Sequence, residues 1–395
     1  MVLLNVYLTH LLCLVYIVVK TIYGCVLQPE CPVQWHFTHA ISAENQRNNK
    51  TESFSIYLTE YFMQAIYICR MSDSKMSLFT NTSERPYHIE LDMRKPGNII
   101  YIEGNALVTS AGGTSKPELI AGQPSESGFN EGEVGSEARF NGLTGFVQID
   151  KDRVIVVDSG NNCLRSVSRP TGKVEVFSGE CRKSGLINGK VGRFDKPLAV
   201  IFDKVAKNQL LVVDSNNKAI RTVSTVDGSV GFIVRHDHWT FEPATLTQQD
   251  NGDIYVNGGM NFHHIAHDTK KITKLPRYVN CRYHQELSFI KQSVMIAPFC
   301  MLRKITLVDV KSDKYEVIKT PEAPYGGSFI VRPDCLYVAE KGKILKYTCM
   351  YNHSSITMNI FHIENTHICR LSLKILRITI IFHDNPSNLD SRCAL

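Results

Sequence analysis

The sequence predicts an all-β fold built from one repeated unit. A stretch of residues beginning at Val156 recurs without a gap from Val212 onward. Each copy alternates β-branched strands with turn residues, and weaker copies follow at a spacing of about 50–56 residues. Antiparallel meanders at this spacing are typical of propeller blades. The sequence therefore predicts a β-propeller of five or six four-stranded blades, six being the better fit.

The first copy shows why each unit is read as strands. Arg153 is followed by four β-branched aliphatic residues, 154–157, and the run ends at Asp158. The Ser-Gly-Asn that follows predicts a tight turn, because glycine and asparagine tolerate a positive φ. Residues 164–167 alternate apolar and polar side chains, as a half-buried strand does. A turn at 171–173 and a strand at 174–177 complete the meander.

Weaker copies extend the pattern in both directions. Aliphatic runs at residues 254–256, 294–296 and 336–339 predict three further units. Upstream, residues 65–79 read as a strand, a turn and a second strand, and residues 99–102 belong to the same unit or to the next one. The predicted propeller therefore occupies residues 53–352.

The N-terminal segment predicts export from the cytoplasm. Within residues 1–24, an apolar run from Val2 to Val19 is broken only by Asn5, Thr9 and His10. Lys20 and the small residue Gly24 follow the run, which is typical of a cleaved signal peptide. An uncleaved membrane anchor is the alternative, because the run is just long enough to cross a bilayer. We therefore expect a secreted protein or one in the lumen of the secretory pathway, with membrane anchoring if the segment is retained.

The remaining flanks have no blade pattern. Residues 25–52 are polar and are predicted to form a leader. Residues 353–395 are predicted to form a tail, within which an apolar run at 371–382 is either one strand that closes the ring or not part of the propeller. The last dozen residues read as a disordered end.

Cysteine usage agrees with an exported chain. The sequence has 12 Cys without a single C-x-x-C pair, so a zinc ribbon or a thioredoxin-like site is not indicated. Dispersed cysteines in an exported protein are usually disulfide partners. Cys163 and Cys181 flank one predicted strand pair and are the predicted bridge. Three N-x-[ST] sequons predict glycosylation at Asn49, Asn81 and Asn352.

The repeat also resembles a known family. Gly128, Gly132 and Gly135 precede Ala138-Arg139-Phe140, and residues 156–168 follow with an aliphatic strand, Asp, a Gly/Asn turn and Leu-Arg. This order resembles that of NHL-repeat β-propellers, and the similarity is strong over residues 118–230. Membership in that family would imply a propeller whose exposed loops bind partners, and RNA in some members.

The repeated charged residues are predicted to be structural. Asp158 and Arg165 recur as Asp214 and Arg221, with the same offset of 56 residues for both. Each Asp ends a strand, where it can accept hydrogen bonds from turn amides, and each Arg can return to the same carboxylate. A ligand-binding or catalytic carboxylate is the alternative. It is disfavoured, because a catalytic residue has no reason to recur in every blade.

Histidines provide a metal-site hypothesis. His236 and His238 are spaced to share one face of a strand, and His263 and His267 follow in the next predicted unit. Imidazoles so spaced can hold zinc, so zinc or calcium is the alternative to a protein with no cofactor. Hydrogen-bonded loop histidines are the ordinary explanation.

The net charge and its distribution argue against a nucleic-acid-binding protein. The net charge of +6 over 395 residues is spread thinly, without the dense basic stripe of a nucleic-acid surface. The preferred hypothesis is a non-enzymatic binding scaffold that holds a protein or glycan ligand on its loop face. The alternative is a metal-dependent hydrolase or lyase at the mouth of the propeller channel. No nucleophile motif is present to favour that alternative. Membrane association is expected only with an uncleaved N-terminus.

Overall fold

The computed structural model describes residues 37–44, 54–60, 64–70, 75–235, 242–258 and 261–274, and the strands that follow residue 287. These residues contain 29 β-strands and two short 3-10 turns, at Gly135–Glu137 and Ser159–Asn161. The strands form seven antiparallel sheets, each with its strands in chain order. The prediction of an all-β fold is therefore confirmed.

The strands of sheets 1 to 3 are β1 (Phe37–Glu44), β2 (Phe54–Glu60), β3 (Ala65–Arg70), β4 (Lys75–Asn81); β5 (Pro86–Leu91), β6 (Ile99–Glu103), β7 (Ala106–Ser110), β8 (Glu118–Gly122); and β9 (Leu143–Gln148), β10 (Arg153–Asp158), β11 (Cys163–Ser168), β12 (Val174–Ser178). Those of sheets 4 and 5 are β13 (Pro197–Phe202), β14 (Gln209–Asp214), β15 (Ala219–Ser224), β16 (Val234–Arg235); and β17 (Thr245–Gln248), β18 (Ile254–Gly258), β19 (Asn261–Ile265), β20 (Ile272–Lys274).

Sheet 6 consists of β21 (Ser288–Ile290), β22 (Val294–Phe299), β23 (Lys304–Asp309) and β24 (Lys314–Lys319). Sheet 7 has five strands, β25 (Phe329–Arg332), β26 (Cys335–Glu340), β27 (Lys343–Asn352), β28 (Ser355–Ile363) and β29 (Leu376–Ile381). First strands contact one another in the pairs β1–β5, β5–β9, β9–β13, β13–β17 and β21–β25, and β25 contacts β1. The sheets therefore lie in a circle with the first strand of each sheet innermost.

The number of sheets corrects the sequence prediction of five or six blades. Strands β3 and β6, which sequence analysis left open to a single unit, belong to different sheets. Strand β1 lies within residues 25–52, the predicted leader, and β28 and β29 lie within residues 353–395, the predicted tail. Polar residues dilute the apolar pattern of β1, since half of its eight residues are Thr, His, Ser and Glu. A short polar strand therefore resembles a loop in sequence.

The hydrophobic core lies between neighbouring sheets rather than inside any one of them. Val154 and Val156 of β10 pack with Ile100 and Leu107 of sheet 2. The alternate residues Ile155 and Val157 belong instead to a cluster shared with sheet 4. Side chains alternate between the two faces of a strand, so one aliphatic run fills two cores. This explains why β10 is a continuous apolar run.

Connections alternate between the two ends of the sheets. The turn between the second and third strands and the crossing to the next sheet share one end, which we call the loop face. The other two turns of each sheet share the opposite end, which we call the turn face. Antiparallel pairing within each meander dictates this alternation.

A buried ion pair joins sheets 2 and 3 on the turn face. Arg169 donates to both carboxylate oxygens of Asp92, at 3.1 Å and 2.8 Å. Thr109 Oγ1 and the backbone N of Arg94 also donate to this carboxylate. Both charged side chains are at most 2% exposed. Burial raises the pKa of Asp92, but these hydrogen bonds together bring the pKa below its ordinary value.

This ion pair predicts a component of acid sensitivity. A carboxyl group whose pKa is lower in the folded state stabilises the protein above its unfolded pKa of about 3.9. That stabilisation is lost as the pH falls through the folded pKa. Asp92→Asn should therefore flatten the fall in the free energy of unfolding below about pH 4, where one proton is worth about 1.4 kcal/mol per pH unit. Urea unfolding from pH 7 to pH 2 measures the slope.

The matched control for this experiment is Asp150→Asn, which changes an exposed carboxylate on a neighbouring turn. For this control, the free energy of unfolding plotted against pH should run parallel to that of the unaltered protein. Parallel curves for Asp92→Asn as well would contradict the assignment of this acid sensitivity to Asp92.

Candidate interaction surface: the loop face

A buried Asp–Asn–Arg cluster lies directly beneath the loop face in sheet 4. Arg221 Nη1 donates to Asp214 Oδ2 at 2.7 Å, and Asn217 Nδ2 donates to the same oxygen at 2.8 Å. The other carboxylate oxygen accepts the backbone N of Asp195 at 2.7 Å. The side chains of Asp214 and Arg221 are fully buried. The carboxylate thus joins a strand end, a turn and the crossing from the preceding sheet.

Sheet 3 contains the same cluster. Asp158 accepts Asn161 Nδ2 at 2.8 Å, Arg165 Nη1 at 3.3 Å and the backbone N of Asn141 at 2.8 Å. Burial raises the pKa of Asp158, against the effect of these hydrogen bonds, and the pKa of Asp214 shifts in the same direction for the same cause. Burial likewise lowers the pKa of Arg165. Both pairs are therefore desolvated ion pairs held by internal partners.

Each arginine also holds the long connection that leads into its own sheet. We call residues 123–142 the first rim loop and residues 179–196 the second rim loop. Arg165 donates to the carbonyl oxygens of Asn130 and Arg139, which lie in the two limbs of the first rim loop. Arg221 donates in the same way to the carbonyl oxygens of Ile187 and Arg193. Arg221 Nε also donates to the carbonyl oxygen of Gly231, whereas the buried Nε of Arg165 has no hydrogen-bond partner among the described residues.

The rim loops fill the gap between adjacent sheets at the outer edge. The Gly132 carbonyl accepts the N–H of Val174 on β12, the outermost strand of sheet 3. Gly189 pairs in both directions with Val230, which itself bridges to Val223 of β15 in sheet 4. A Cβ at Gly135 would lie 1.9 Å from the carbonyl oxygen of Ile120, so no other residue fits there. Close contact thus explains Gly135, whereas Gly189 has open space around it and a φ of 97°, a conformation that suits glycine.

Phenylalanine side chains complete the cluster. The guanidinium of Arg165 lies 4.8 Å from the ring centre of Phe129 and 5.4 Å from that of Phe140. Arg221 lies 5.5 Å from the ring centre of Phe194. Such contacts with aromatic rings favour a buried cation. The Asp–Arg pairs therefore support the loops from below and do not face a ligand.

Asparagine side chains tie the loop face together from one sheet to the next. Asn105 Oδ1 accepts the backbone N of Gly142, and Asn162 Oδ1 accepts the backbone N of Lys196, both at 2.7 Å. Asn162 has a φ of 58°, the left-handed conformation that asparagine tolerates well. The equivalent turn of sheet 4 has Lys218 at φ 50°. These two amide side chains thus link the second turn of one sheet to the crossing that enters the next.

Comparisons with known proteins bear on this arrangement. No protein-family model matches the sequence, and no curated protein matches it significantly. Solved structures do match. Virginiamycin B lyase from Staphylococcus aureus, in a catalytically inactive form with quinupristin, has 12% identity, covers 80% of this chain and 96% of its own, and gives a TM-score of 0.58. The β-propeller domain of Cps50 (Swd1) from Myceliophteria thermophila has 10% identity, covers 79% and 97%, and gives a TM-score of 0.53.

YCF48 bound to D1 peptide has 9% identity, covers 79% of this chain and 97% of its own, and gives a TM-score of 0.50. The circle of four-stranded meanders and these structural similarities agree on the fold. The chain is a β-propeller. Its sheets are the blades, numbered here as the sheets were. At sequence identities near 10%, the structural similarity establishes the fold only. The activity of this chain has to be inferred from its own residues.

A disulfide fixes the second rim loop to blade 3. Cys163 begins β11 and Cys181 lies near the start of the second rim loop, and the two are bonded. This is the pair that the sequence predicts as a bridge. Cys163 is fully buried, whereas its counterpart in blade 4 is Ala219. The disulfide is therefore present in blade 3 in addition to the Asp–Asn–Arg cluster that both blades contain.

The predicted metal ligands do not form a cluster in the described part of the propeller. His263 is buried in β19, opposite Val256 and Lys274. His267 lies in the turn after β19, where its backbone N donates to Asp253. His236 and His238 lie outside the described residues. Among the residues that are described, no group of three His, Cys, Asp or Glu is placed to hold a metal ion.

An imidazole–carboxylate pair on the innermost strand of blade 2 was not found by sequence reasoning. His88 Nε2 lies 3.5 Å from Glu90 Oε1, and Gln148 Nε2 of blade 3 donates to Glu90 Oε2 at 2.8 Å. The His88 ring packs edge-on against Phe146 at 4.6 Å. His88 has a φ of 39° at a bulge in the pairing of β5 with β6. A single histidine in a predicted strand does not indicate a site. The pairing with Glu90 depends on the bulge, which sequence analysis did not predict.

The predicted glycosylation sites are distributed along the chain. Asn81 is exposed at the end of β4. Asn352 ends β27, and its side chain lies outside the described part, as does all of Asn49. The predicted signal peptide, residues 1–24, is also outside the described residues. No helix among the described residues is long and apolar enough to span a membrane.

Proposed function

We propose that this propeller is a secreted or membrane-tethered binding scaffold without enzymatic activity, which holds a protein partner on its loop face. The observation that carries the proposal is a contrast between buried and exposed positions in blades 3 and 4. Two positions of the second turn are identical and face inward, with the buried Ser159 matching the buried Ser215 and the buried Asn161 matching the half-buried Asn217. Exposed positions differ, as Gly160 does from Asn216.

The ends of the crossings that enter these blades show the same contrast. Phe140 and Phe194 are equivalent and fully buried, whereas Gly142 corresponds to the exposed Lys196. A frame that is repeated beneath a surface that varies is the organisation of a scaffold whose loops are adapted to a ligand. A catalytic site would instead require particular groups on that surface.

Two further features support a protein partner and export. The similar propeller YCF48 binds a peptide, which shows that this fold can hold one. The Cys163–Cys181 disulfide is of a kind that persists in oxidising compartments, and the exposed Asn81 is accessible for glycosylation. The repeat in blades 3 and 4 supports assignment to the NHL type of propeller, whose order of glycines, Asp and Arg it follows. A glycan remains the second class of ligand in this proposal.

The experiment is affinity capture with the intact protein, followed by mass spectrometry and a binding titration. The loop-face variant is Lys196→Glu with Asn216→Arg, because both residues are exposed and neither belongs to the buried clusters. We expect its affinity for the captured partner to fall by at least about tenfold, the equivalent of 1.4 kcal/mol. The control variant Lys151→Glu changes a charge on the turn face and should bind normally.

Equal binding by the loop-face variant and the control would contradict the loop face as the binding surface. Thermal unfolding of both variants shows whether the fold is retained, so a loss of binding can be assigned to the surface itself.

A second candidate is a lyase or hydrolase at the propeller channel. The His88–Glu90 pair favours it, because an imidazole beside a carboxylate is a common general base, and one similar structure is a lyase. Zinc or calcium belongs to this alternative. Activity that is lost in His88→Ala, or stoichiometric metal that is lost on replacing His236, His238, His263 or His267, would establish it over the scaffold.

A further inference from the structure

The two rim loops are held by equivalent arginine contacts but have net charges of opposite sign. Residues 123–142 contain four Glu and one Arg, a net charge of −3. Residues 179–196 contain five Lys or Arg and two Asp or Glu, a net charge of +3. The loops occupy equivalent positions on either side of blade 3. One rim of the propeller therefore presents an acidic loop and a basic loop side by side.

The internal geometry of the two loops confirms that they are equivalent. Arg139 pairs with Glu126 in the first loop, and Arg193 pairs with Glu180 in the second, at 2.8 Å and 2.7 Å. Each tip has an exposed valine followed by a buried glycine, Val134 in the first and Val191 in the second. The valines are 54% and 69% exposed. Only the outward charged side chains differ in sign.

Strand β12 lies between the two loops and cannot recruit a partner by strand addition. Its Val174 N–H is bonded to Gly132, and its Val176 N–H is bonded to the Glu131 side chain at 3.2 Å. The Val176 side chain is nevertheless 39% exposed. Association at this rim therefore uses side chains, with Val176 at the centre and charged side chains around it, Glu175 of β12 and the adjacent Lys173 among them.

We propose that this rim, the outer edge of blade 3 with its two rim loops, binds a second copy of the same chain. A two-fold axis through the rim at β12 exchanges the positions of the two loops. The acidic loop of each copy then faces the basic loop of the other, and Val134 faces Val191. Val176 of the two copies meets near the axis. Such a surface is self-complementary and forms a closed dimer.

Charge complementarity selects this occupant. An acidic or a basic foreign protein would be attracted to one loop and repelled by the other, since both loops lie on the same rim. A second copy satisfies both loops at once. The rim loops are crossings at the loop-face end, but the dimer uses their outer side at the edge of blade 3. The second turns of the blades, with Asn216, stay open for the partner proposed above, and the dimer brings two such surfaces together.

The test is the molar mass of the intact protein, measured by sedimentation velocity over a concentration series. Two variants reverse one loop each, Glu133→Lys with Glu137→Lys, and Arg182→Glu with Lys190→Glu. We expect the unaltered protein to dimerise, and each variant alone to have a dimer dissociation constant raised at least about 100-fold by like-charge contacts. High salt should weaken the unaltered dimer, because the flanking pairs are exposed.

Two restorations make the test specific. An equimolar mixture of the two variants should form heterodimers, since one chain then has two basic loops and the other two acidic loops. A chain that carries all four substitutions should dimerise again. The control, Lys116→Glu with Lys151→Glu on the turn face, should dimerise normally. A monomeric unaltered protein, dimeric single-loop variants or failure of both restorations would overturn the proposal.

Discussion

Asp214→Asn should lower the free energy of unfolding by about 3–5 kcal/mol, the cost of removing one partner from a buried ion pair. The substitution leaves the Arg221 guanidinium fully buried without a carboxylate. The two Asp214 oxygens accept three hydrogen bonds, and an amide nitrogen in place of either oxygen would oppose a donor. Urea denaturation at pH 7 measures the loss.

A double-mutant cycle separates the ion pair from its surroundings. Arg221→Leu alone should also be costly, because it leaves Asp214 buried without its cation. The pair Asp214→Asn with Arg221→Leu should cost clearly less than the sum of the single changes, since no unpaired charge is then buried. Asp158 and Arg165 in blade 3 should behave in the same way.

The matched control is the exposed ion pair between Lys204 and Asp250, whose atoms are 3.0 Å apart. Its side chains are 48% and 72% exposed, so Asp250→Asn should cost no more than about 1 kcal/mol. If Asp214→Asn cost as little as this control, the buried pairs would not support the loop face. The proposal that repeated buried residues hold a variable binding surface would then be contradicted.

Removing the Cys163–Cys181 disulfide should cost about 3 kcal/mol. The two residues are 18 apart in sequence, and a crosslink of this span restricts the unfolded chain by about that amount. The variant Cys163→Ala with Cys181→Ser tests this by thermal and urea unfolding. Alanine suits position 163, because Ala219 occupies the equivalent buried position of blade 4.

Reduction provides the control for the disulfide. The unaltered protein in dithiothreitol should have the stability of the double variant, while the variant itself should not respond to reduction. A variant as stable as the oxidised protein would contradict a stabilising role for the crosslink. A response of the variant to reduction would show that another cysteine pair contributes.

Both predictions concern the support of the loops rather than their exposed surface. The buried clusters hold the ends of the rim loops, and the disulfide holds the start of the second one. Weakening them should therefore also weaken partner binding on the loop face. That loss should follow the unfolding equilibrium and not a change of any contact residue.

Much of the fold was predictable because local patterns encode it. The β-branched runs, the turn residues and the recurrence of Asp158 and Arg165 as Asp214 and Arg221 are local signals, and they predicted meanders in a propeller. The partner of each carboxylate was also predictable, since seven residues across a turn return the arginine to the strand end. The blade count was not, because the polar strand β1 and the strands after residue 352 lack a strong apolar pattern.

The candidate surfaces were predictable only in part. Sequence spacing gave the loop face in general terms and the Cys163–Cys181 pair. It did not give the His88–Glu90 pair, which depends on a bulge, or the contact between Asp92 and Arg169 across two blades. It also did not show that Gly132 and Gly189 belong to loops on the outer rim.

The sequence by itself determined the repeated unit, its strands and turns, and the paired charges of blades 3 and 4, because these depend on residues close together in the chain. The tertiary structure decided how many units close the circle, which side chains of neighbouring blades meet, and that an acidic and a basic loop flank the same rim. These features depend on distances between residues far apart in sequence. Such distances are set by the packing of whole sheets against one another, which no local pattern records.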